Sequence, residues 1–289
     1  GTVVRKGFVS NARCSYQRFF TRTPEQWLMS EPVLMTVHGS MAQLTLNRPE
    51  SYNALNIPTA RALTRALLDV GADPTIRGVI ITGNGAAFSA GGDIKFVLAH
   101  PHGPAAAFHE LATDVHVCVT EIRRLRKPVI AAINGVAAGG GFSLALACDF
   151  RVMAESARLK QGFTSNALCI DAGGTFTLPR LVGLARALEI AAFDEPISAE
   201  QAMAWGLATR VVPDAQLLES ALTMGQTLAQ KSLHAFGHVK TLLTDAFDTS
   251  WESQLERERR GLAACAGHAD GLEGLHAFVE KRSPYYNRW

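Results

Sequence analysis

The sequence contains two glycine-rich loops that could do chemistry with backbone groups alone. The first runs over residues 88–95 (FSAGGDIK) and the second over residues 134–141 (NGVAAGGG), and each follows a short apolar run. Glycine leaves backbone N–H groups uncovered by a side chain, and the first N–H groups of a helix have no partner within it. Two such loops on adjacent strands could direct two donors at one oxygen and form an oxyanion hole. For either loop alone, an ordinary tight turn is the alternative.

These glycines do not match the common nucleotide-binding motifs. A P-loop needs Gly-Lys before Ser or Thr, and the chain has no Gly-Lys pair. Gly83-Asn84-Gly85 begins like a dinucleotide fingerprint, but Phe88 occupies the position of its third glycine. We therefore expect neither kind of phosphate-binding loop.

The cysteines and histidines do not form a recognisable metal motif. The cysteines are scattered without a CxxC pair, at Cys14, Cys118, Cys148, Cys169 and Cys265. Their spacing fits neither a disulfide framework nor a thiolate zinc site, so we expect a reducing compartment, the cytoplasm, and no metal. His234 and His238 are four residues apart and would share one face of a helix. Since no carboxylate lies between them, we interpret them as residues of an exposed helix face.

Composition limits the class of protein. The chain has 289 residues, a formal net charge of +2, 47% hydrophobic residues and 19% charged residues. Such a chain can bury an independent core, and its near-neutral charge argues against nucleic acid as a partner. From Pro128 to Cys148 there is no charged residue, a length that could span a bilayer, but four glycines interrupt the run. We interpret it as a buried strand, a glycine turn and a buried helix, and expect no membrane association.

Alternating strands and helices must position the loops. Residues 33–38 and 41–46 flank Gly39-Ser40, a hairpin signal. Three β-branched runs predict buried strands over residues 78–82, 128–133 and 150–154. Helical spacing alternates with these strands, over residues 59–70, 115–125 and 139–147, which indicates an α/β core with crossover connections. After Pro179 the pattern is helical, over residues 185–192, 198–205, 216–230, 233–247, 251–266 and 271–282.

These patterns divide the chain into three parts. Residues 1–30 hold five basic residues before the first acid, Glu25. We interpret them as a flexible leader, which could be a targeting segment, a cloning remnant or an arm onto a neighbouring subunit. Residues 31–195 are predicted to form the core that carries the glycine loops, and residues 196–289 a helical C-terminal region.

Four motifs in collinear order resemble the crotonase (enoyl-CoA hydratase/isomerase) superfamily. They are LTLNRPESYNAL, AAFSAGGDI, KPVIAAINGVAAGGGFSLALACDFRV and DAGGTFTLPRLVG, and the resemblance extends from about Val33 to Arg282. It implies a crotonase-like α/β fold of repeated ββα turns, with a helical C-terminal trimerisation region that makes a homotrimer or a dimer of trimers. It also implies an acyl-CoA substrate without a further cofactor, whose thioester oxygen lies between the N–H groups of Gly92 and Gly140.

The resemblance also implies which residues contact coenzyme A. They are Asn53, Ala54, Leu55, Ala90, Asp93, Ile94, Phe278 and Lys281. In the superfamily the last two positions often reach the coenzyme A of a neighbouring subunit.

The acidic residues differ from those of the superfamily's hydratases. Hydratases position and split water with two glutamates, and the matching positions here are Ser143 and Phe163, neither of which exchanges a proton at neutral pH. Asp171 matches the catalytic aspartate of dienoyl-CoA isomerases and of the 1,2-epoxyphenylacetyl-CoA isomerase branch, which this chain resembles most. One carboxylate suits an isomerase, because it can take a proton from one carbon and return it to another. The alternative role of Asp171 is a helix N-cap.

We therefore expect an acyl-CoA isomerase that stabilises a thioester enolate, with Phe142, Ser143, Phe163 and Leu168 near the acyl group. Three alternatives stay open: an enoyl-CoA hydratase, a thioester hydrolase and a non-catalytic acyl-CoA-binding protein. The hydrolase would use Ser143, which lies in GFSLA, one glycine short of a nucleophile elbow. It would need a nearby histidine, and the sequence has none between His116 and His234.

Overall fold

The computed structural model describes residues 31–286, so the predicted leader over residues 1–30 lies outside the described part. The strands in this range are β1 (Val33–His38), β2 (Met41–Leu46), β3 (Gly78–Gly83), β4 (Ala87–Ser89), β5 (Val129–Ile133), β6 (Val136–Ala138), β7 (Phe150–Ala154), β8 (Arg158–Lys160), β9 (Ile197–Ser198) and β10 (Arg210–Val212). The α-helices are α1 (Ile57–Ala72), α2 (Ile94–Leu98), α3 (Gly103–Arg124), α4 (Gly140–Ala147), α5 (Gly174–Val182), α6 (Leu184–Phe193), α7 (Ala199–Ala204), α8 (Leu217–Ala229), α9 (Leu233–Asp245), α10 (Trp251–Gly267) and α11 (Ala269–Val279).

The larger sheet has six strands in the order β1-β2-β3-β5-β7-β10. The β1–β2 hairpin is antiparallel and turns at Gly39, whose φ is 62°, and the remaining pairs are parallel. Every residue of β5 is buried, as expected of a parallel strand covered on both faces. The predicted hairpin and the three predicted core strands are confirmed.

A second sheet of four short strands, in the order β4-β6-β8-β9, accompanies the first. Strands β4, β6 and β8 pair in parallel, and each follows directly on a strand of the larger sheet. The chain therefore repeats one unit, a strand in each sheet followed by helical structure, which confirms the predicted crotonase-like fold class. The sequence pattern did not identify β4, β6 or β8, because each has three residues and lies in or beside a glycine-rich loop.

The uncharged run from Pro128 to Cys148 forms β5, β6 and α4, as predicted. Within residues 31–286, we find no helix that combines the length and the apolar character needed to cross a bilayer.

The C-terminal part is mostly helical, as expected, but it also returns to both sheets. β9 pairs with β8, and β10 pairs with β7, so residues after 196 complete the core as well as extending from it. A buried ion pair anchors α9, because Lys240 Nζ lies 2.8 Å from Asp149 Oδ2 and also donates to the Ile122 carbonyl at 2.8 Å. The division at residues 195 and 196 stays a prediction.

Candidate active site

The two glycine loops lie against each other. One follows β4 and the other joins β6 to α4, and β4 and β6 are neighbours in the smaller sheet. A Cβ atom on Gly91 would lie 2.8 Å from the Ala138 carbonyl oxygen and 2.9 Å from the Gly140 nitrogen. Because Gly91 also has a φ of 93°, only glycine allows both this conformation and this approach.

Gly92 and Gly140 bring two backbone donors side by side. A Cβ atom on Gly140 would lie 3.8 Å from the Gly92 nitrogen. Gly140 is the first residue of α4, so its N–H has no partner within the helix and lies at the positive end of the helix dipole. In the part of the chain that the structure describes, neither N–H donates a hydrogen bond to the protein. Both donors are therefore free to bind an external acceptor, and their role as an oxyanion hole stays a prediction.

Leu55 holds the first loop in place through a short parallel bridge to Gly92. Its N–H donates to the Gly91 carbonyl at 2.6 Å, and its carbonyl accepts from the Asp93 N–H at 2.9 Å. The loop is thus fixed on both sides of the free Gly92 donor, which reduces the reorganisation needed when a negative charge develops there.

Asp171 forms a pair with a histidine that the sequence did not suggest. Its Oδ1 atom lies 2.5 Å from His116 Nε2, on α3, and also accepts from the Ala172 N–H at 2.5 Å. The N-cap of α5 is Gly173, so the alternative role of Asp171 as that helix's N-cap is wrong. Ala172 takes a left-handed φ of 55°, a conformation that costs a non-glycine residue about 1–2 kcal/mol. Strain of this kind often accompanies functional positions.

A close contact between α4 and α5 connects the helix that begins at Gly140 with the segment that contains Asp171. Ser143 lies one helical turn after Gly140, and a Cβ atom on Gly174 would be 2.5 Å from Ser143 Oγ. The Gly174 N–H in turn donates to the Asp171 carbonyl at 3.0 Å. Glycine at position 174 therefore lets the start of α5 pack closely on α4, and the Asp171 carbonyl is hydrogen-bonded to this contact.

The chain matches the family model described as "Enoyl-CoA hydratase/isomerase" over residues 36–288. The chain belongs to this family. It is 38% identical to the 1,2-epoxyphenylacetyl-CoA isomerase of Escherichia coli K12, over 89% of this chain and 99% of that one. It is 37% identical to the carnitinyl-CoA dehydratase of Salmonella typhi, with the same coverage of 89% and 99%. Among solved structures, an enoyl-CoA hydratase from Polaromonas sp. JS666 has a TM-score of 0.84 at 36% identity, over 88% of this chain and 99% of that one.

The two positions that match the glutamates of the family's hydratases are enclosed and carry no acid. Ser143 is fully buried and Phe163 is 9% exposed. Within the described residues Ser143 Oγ has no hydrogen-bond partner, and a Cβ atom added to Gly174 would lie 2.5 Å from it. No histidine accepts its proton, so the geometry does not support Ser143 as an activated nucleophile.

Asn53, expected to contact coenzyme A, uses its side chain within the protein. Its Nδ2 donates to the carbonyls of Ala87 at 2.8 Å and Asn84 at 2.9 Å, and its Oδ1 accepts from the Arg48 N–H at 2.9 Å. The side chain of Asn53 therefore holds loops of the protein together, and the contact of this residue with coenzyme A stays a prediction.

Asp93 has a comparable structural role, since its carboxylate pairs with Arg48 at 2.9 Å and caps α2 by accepting from the Phe96 N–H at 3.2 Å. Ala54 and Leu55 are buried, which leaves Ala90 and Ile94 as the exposed members of the predicted set near the first loop.

Phe278 and Lys281, the remaining predicted coenzyme A contacts, lie at the other end of the chain. Phe278 is 83% exposed on α11, and Lys281 is exposed just beyond that helix. Both side chains are available to a ligand or to a neighbouring subunit, and their role stays a prediction.

The predicted acyl-pocket residues are only partly suitable. Phe142 is completely buried in the main hydrophobic core, so its assignment to the acyl pocket is wrong. Phe163 and Leu168 belong to one turn, in which the Leu168 N–H donates to the Phe163 carbonyl at 3.0 Å. The preceding residue, Gly162, brings this turn against the second loop, because a Cβ atom there would be 3.1 Å from the Gly139 nitrogen.

A cavity of about 760 Å³ lies between α3, α5 and α9, and the sequence did not reveal it. His116, Ala172 and Gly173 form part of its wall, so it opens beside the Asp171–His116 pair. Its aromatic lining is Phe150, Phe176, Phe236 and Phe247. Arg180 lies over the Phe176 ring at 3.4 Å from the ring centroid. Other charged residues also line the cavity, namely Arg123, Asp149, Arg151 and Lys240.

Proposed function

We propose that this family member is an acyl-CoA isomerase that moves a double bond, or rearranges a CoA thioester, through an enolate. The observation that carries the proposal is the pair of free backbone donors at Gly92 and Gly140, together with the Asp171 carboxylate, which is held by His116. The 38% identity to the Escherichia coli 1,2-epoxyphenylacetyl-CoA isomerase supports the same choice.

The donors act on the thioester. The carbonyl oxygen of the bound thioester accepts hydrogen bonds from the Gly92 and Gly140 N–H groups, which makes the neighbouring carbon more acidic and stabilises the negative charge of the enolate. The Asp171 carboxylate takes a proton from one carbon, and the resulting carboxylic acid returns a proton to another carbon of the conjugated enolate. The double bond moves, and neither water nor an external reductant or oxidant is consumed.

His116 positions Asp171, the proposed base. His116 Nε2 is hydrogen-bonded to Asp171 Oδ1, and the Ala172 N–H donates to the same oxygen. The second carboxylate oxygen, Oδ2, is therefore left for the substrate. The acyl group lies in the cavity beside His116, whose volume of about 760 Å³ is ample for a ring-containing or long acyl group.

Hydration is the alternative that the relatives' names keep open, because the similar proteins include a carnitinyl-CoA dehydratase and an enoyl-CoA hydratase. The two positions that would hold the water-activating glutamates are Ser143 and Phe163, which argues against it.

A substrate panel tests the choice. The purified protein is incubated with a 3-enoyl-CoA, with crotonyl-CoA and with an aryl-epoxide acyl-CoA, and products are separated by chromatography. We expect 3-enoyl-CoA or the epoxide to rearrange while crotonyl-CoA stays largely unhydrated. Rapid hydration of crotonyl-CoA would contradict the proposal, release of free coenzyme A would favour the hydrolase, and binding without any turnover would favour the non-catalytic alternative.

We also propose that the enzyme assembles as a homotrimer or a dimer of trimers in the cytoplasm. Large exposed apolar side chains on the C-terminal helices, such as Leu262 at 74% and Phe278 at 83%, support a contact between subunits. Cys118 and Cys148 are free and buried, and burial raises the pKa of each thiol to about 12, which keeps both thiols unreactive. Light scattering after size exclusion checks the assembly, and a monomer at micromolar concentration would contradict it.

A further inference from the structure

Two histidines and a cysteine far along the chain from the glycine loops come together between α9 and α10. One ligand atom from each of His234, His238 and Cys265 lies within 4.8 Å of the other two. The histidines are four residues apart on α9, and Cys265 is in the last turn of α10. Gly261 lies beside these residues, since a Cβ atom there would make ordinary contacts with Leu242 Cδ1 at 3.4 Å and with His238 Nδ1 at 3.8 Å.

The surroundings of these residues differ from those of an exposed helix face. His234, His238 and Cys265 are all half-buried, so the sequence-based interpretation of the two histidines as an exposed face is wrong. The His234 ring stacks on His268, with centroids 4.0 Å apart and planes 6° from parallel, and meets His238 edge-on at 4.8 Å. Within the described residues the buried Nε2 atom of His234 has no hydrogen-bond partner. A buried polar atom of this kind needs water or an ion to satisfy it.

We propose that His234, His238 and Cys265 form a binding site for a thiophilic divalent cation, with Zn²⁺ as the fitting ion. Two imidazoles and one thiolate are a ligand set that Zn²⁺ takes in proteins, with a fourth position left for water. Zn–N bonds of about 2.1 Å and a Zn–S bond of about 2.3 Å place the ligand atoms of a tetrahedral ion about 3.5 Å apart. Small side-chain rotations bring the three atoms from their present separation to that distance.

Two charged groups act near these ligands: Arg126, which opposes a cation, and the buried carboxylate of Asp270, which favours one. The bound ion would join α9 to the end of α10 and so stabilise the C-terminal helical region.

Cobalt substitution tests the site. The full chain is stripped with a chelator and titrated with Co²⁺, and then with Zn²⁺ in competition with a chromophoric chelator. We expect one ion per chain, a thiolate-to-cobalt charge-transfer band in the near ultraviolet, and a higher Tm in the presence of Zn²⁺. C265S should lose the charge-transfer band, and H238A should weaken Zn²⁺ binding at least tenfold. The matched controls C169S and C14S should keep the band and the affinity.

Three results would overturn the site. In the first, wild type takes up no more Zn²⁺ than the H238A/C265S double variant does. In the second, the thiolate-to-cobalt band persists in C265S. In the third, H234A and wild type bind Zn²⁺ with equal affinity. Circular dichroism of each variant shows whether it has folded. Because uptake and the cobalt spectrum are measured without substrate, the outcome is independent of which reaction the enzyme catalyses.

Discussion

Gly91→Ala pushes the two glycine loops apart while both donor residues, Gly92 and Gly140, keep their identity. The new Cβ would lie 2.8 Å from the Ala138 carbonyl oxygen and 2.9 Å from the Gly140 nitrogen, both backbone atoms that cannot rotate away. The second loop must therefore move, and the Gly140 N–H must move with it. Loss of one oxyanion donor costs about 3 kcal/mol of transition-state stabilisation, which corresponds to a decrease in kcat of roughly a hundredfold or more.

Gly103→Ala is the matched control for this substitution. Gly103 has a φ of 82°, close to the 93° of Gly91, but a Cβ there would meet nothing within 4 Å. It therefore carries the backbone strain alone, about 1–2 kcal/mol of stability, and should keep near-wild-type kcat. Isomerisation and the exchange of the substrate's α-protons into deuterated water, followed by NMR, measure catalysis, and chemical denaturation measures stability. If Gly91→Ala lost only as much kcat as Gly103→Ala, the assignment of the paired loops as an oxyanion hole would be refuted.

Three further variants examine other parts of the site and fold. His116→Ala should lower kcat about tenfold, because a hydrogen bond to a charged group contributes about 1.5 kcal/mol at a half-exposed position. The same variant should change the shape of the pH–rate profile, and His116→Gln should recover part of the rate. Ser143→Ala should leave the free energy of unfolding in urea unchanged or raise it by up to about 1 kcal/mol, because the substitution removes a buried hydroxyl without a partner. If the protein were a serine hydrolase, the same variant would stop releasing coenzyme A. Lys240→Met should cost about 3–5 kcal/mol by leaving the Asp149 carboxylate buried and unpaired, and adding Asp149→Asn should recover much of that loss in the same assay.

Much of the fold follows from local sequence signals. Gly39-Ser40 between two alternating runs predicted the hairpin, and the β-branched residues 78–82 predicted a strand that is buried on both faces. The sequence did not predict the second sheet, because β4, β6 and β8 have three residues each and their hydrogen-bond partners come from distant parts of the chain. Helix α3 is twice as long as expected, because Ala107 and Leu111 extend its buried face by two turns before Val115, where the expected helix begins.

In the candidate site, too, the sequence predicted features that depend on neighbouring residues but not contacts between residues far apart in the chain. The two loops could be identified from the spacing of their glycines, and the family resemblance then assigned Gly92 and Gly140 to the donor positions. His116 could not be identified, since its partner Asp171 is 55 residues further on, and a lone histidine on a helix carries no signal of its own. The cavity was missed for the same reason, because its walls come from α3, α5 and α9.

Two polar residues that the resemblance places at coenzyme A have structural roles that the sequence did not reveal. Asn53 and Asp93 occupy motif positions, yet their side chains hold together the loops around Arg48. A sequence identifies that such residues matter, but the hydrogen bonds that satisfy them are set by tertiary structure.

The most direct test of the central claim is the rate at which Asp171→Asn exchanges and isomerises a 3-enoyl-CoA in deuterated water. Asparagine keeps the size of the side chain but cannot take up the proton, so both rates should fall by about 10²–10⁴-fold while substrate affinity changes little. Asp69→Asn, at an exposed position on α1, is the matched control and should leave both rates unchanged. Exchange and isomerisation at the wild-type rate in Asp171→Asn would contradict the account, because the carboxylate would then not be the base.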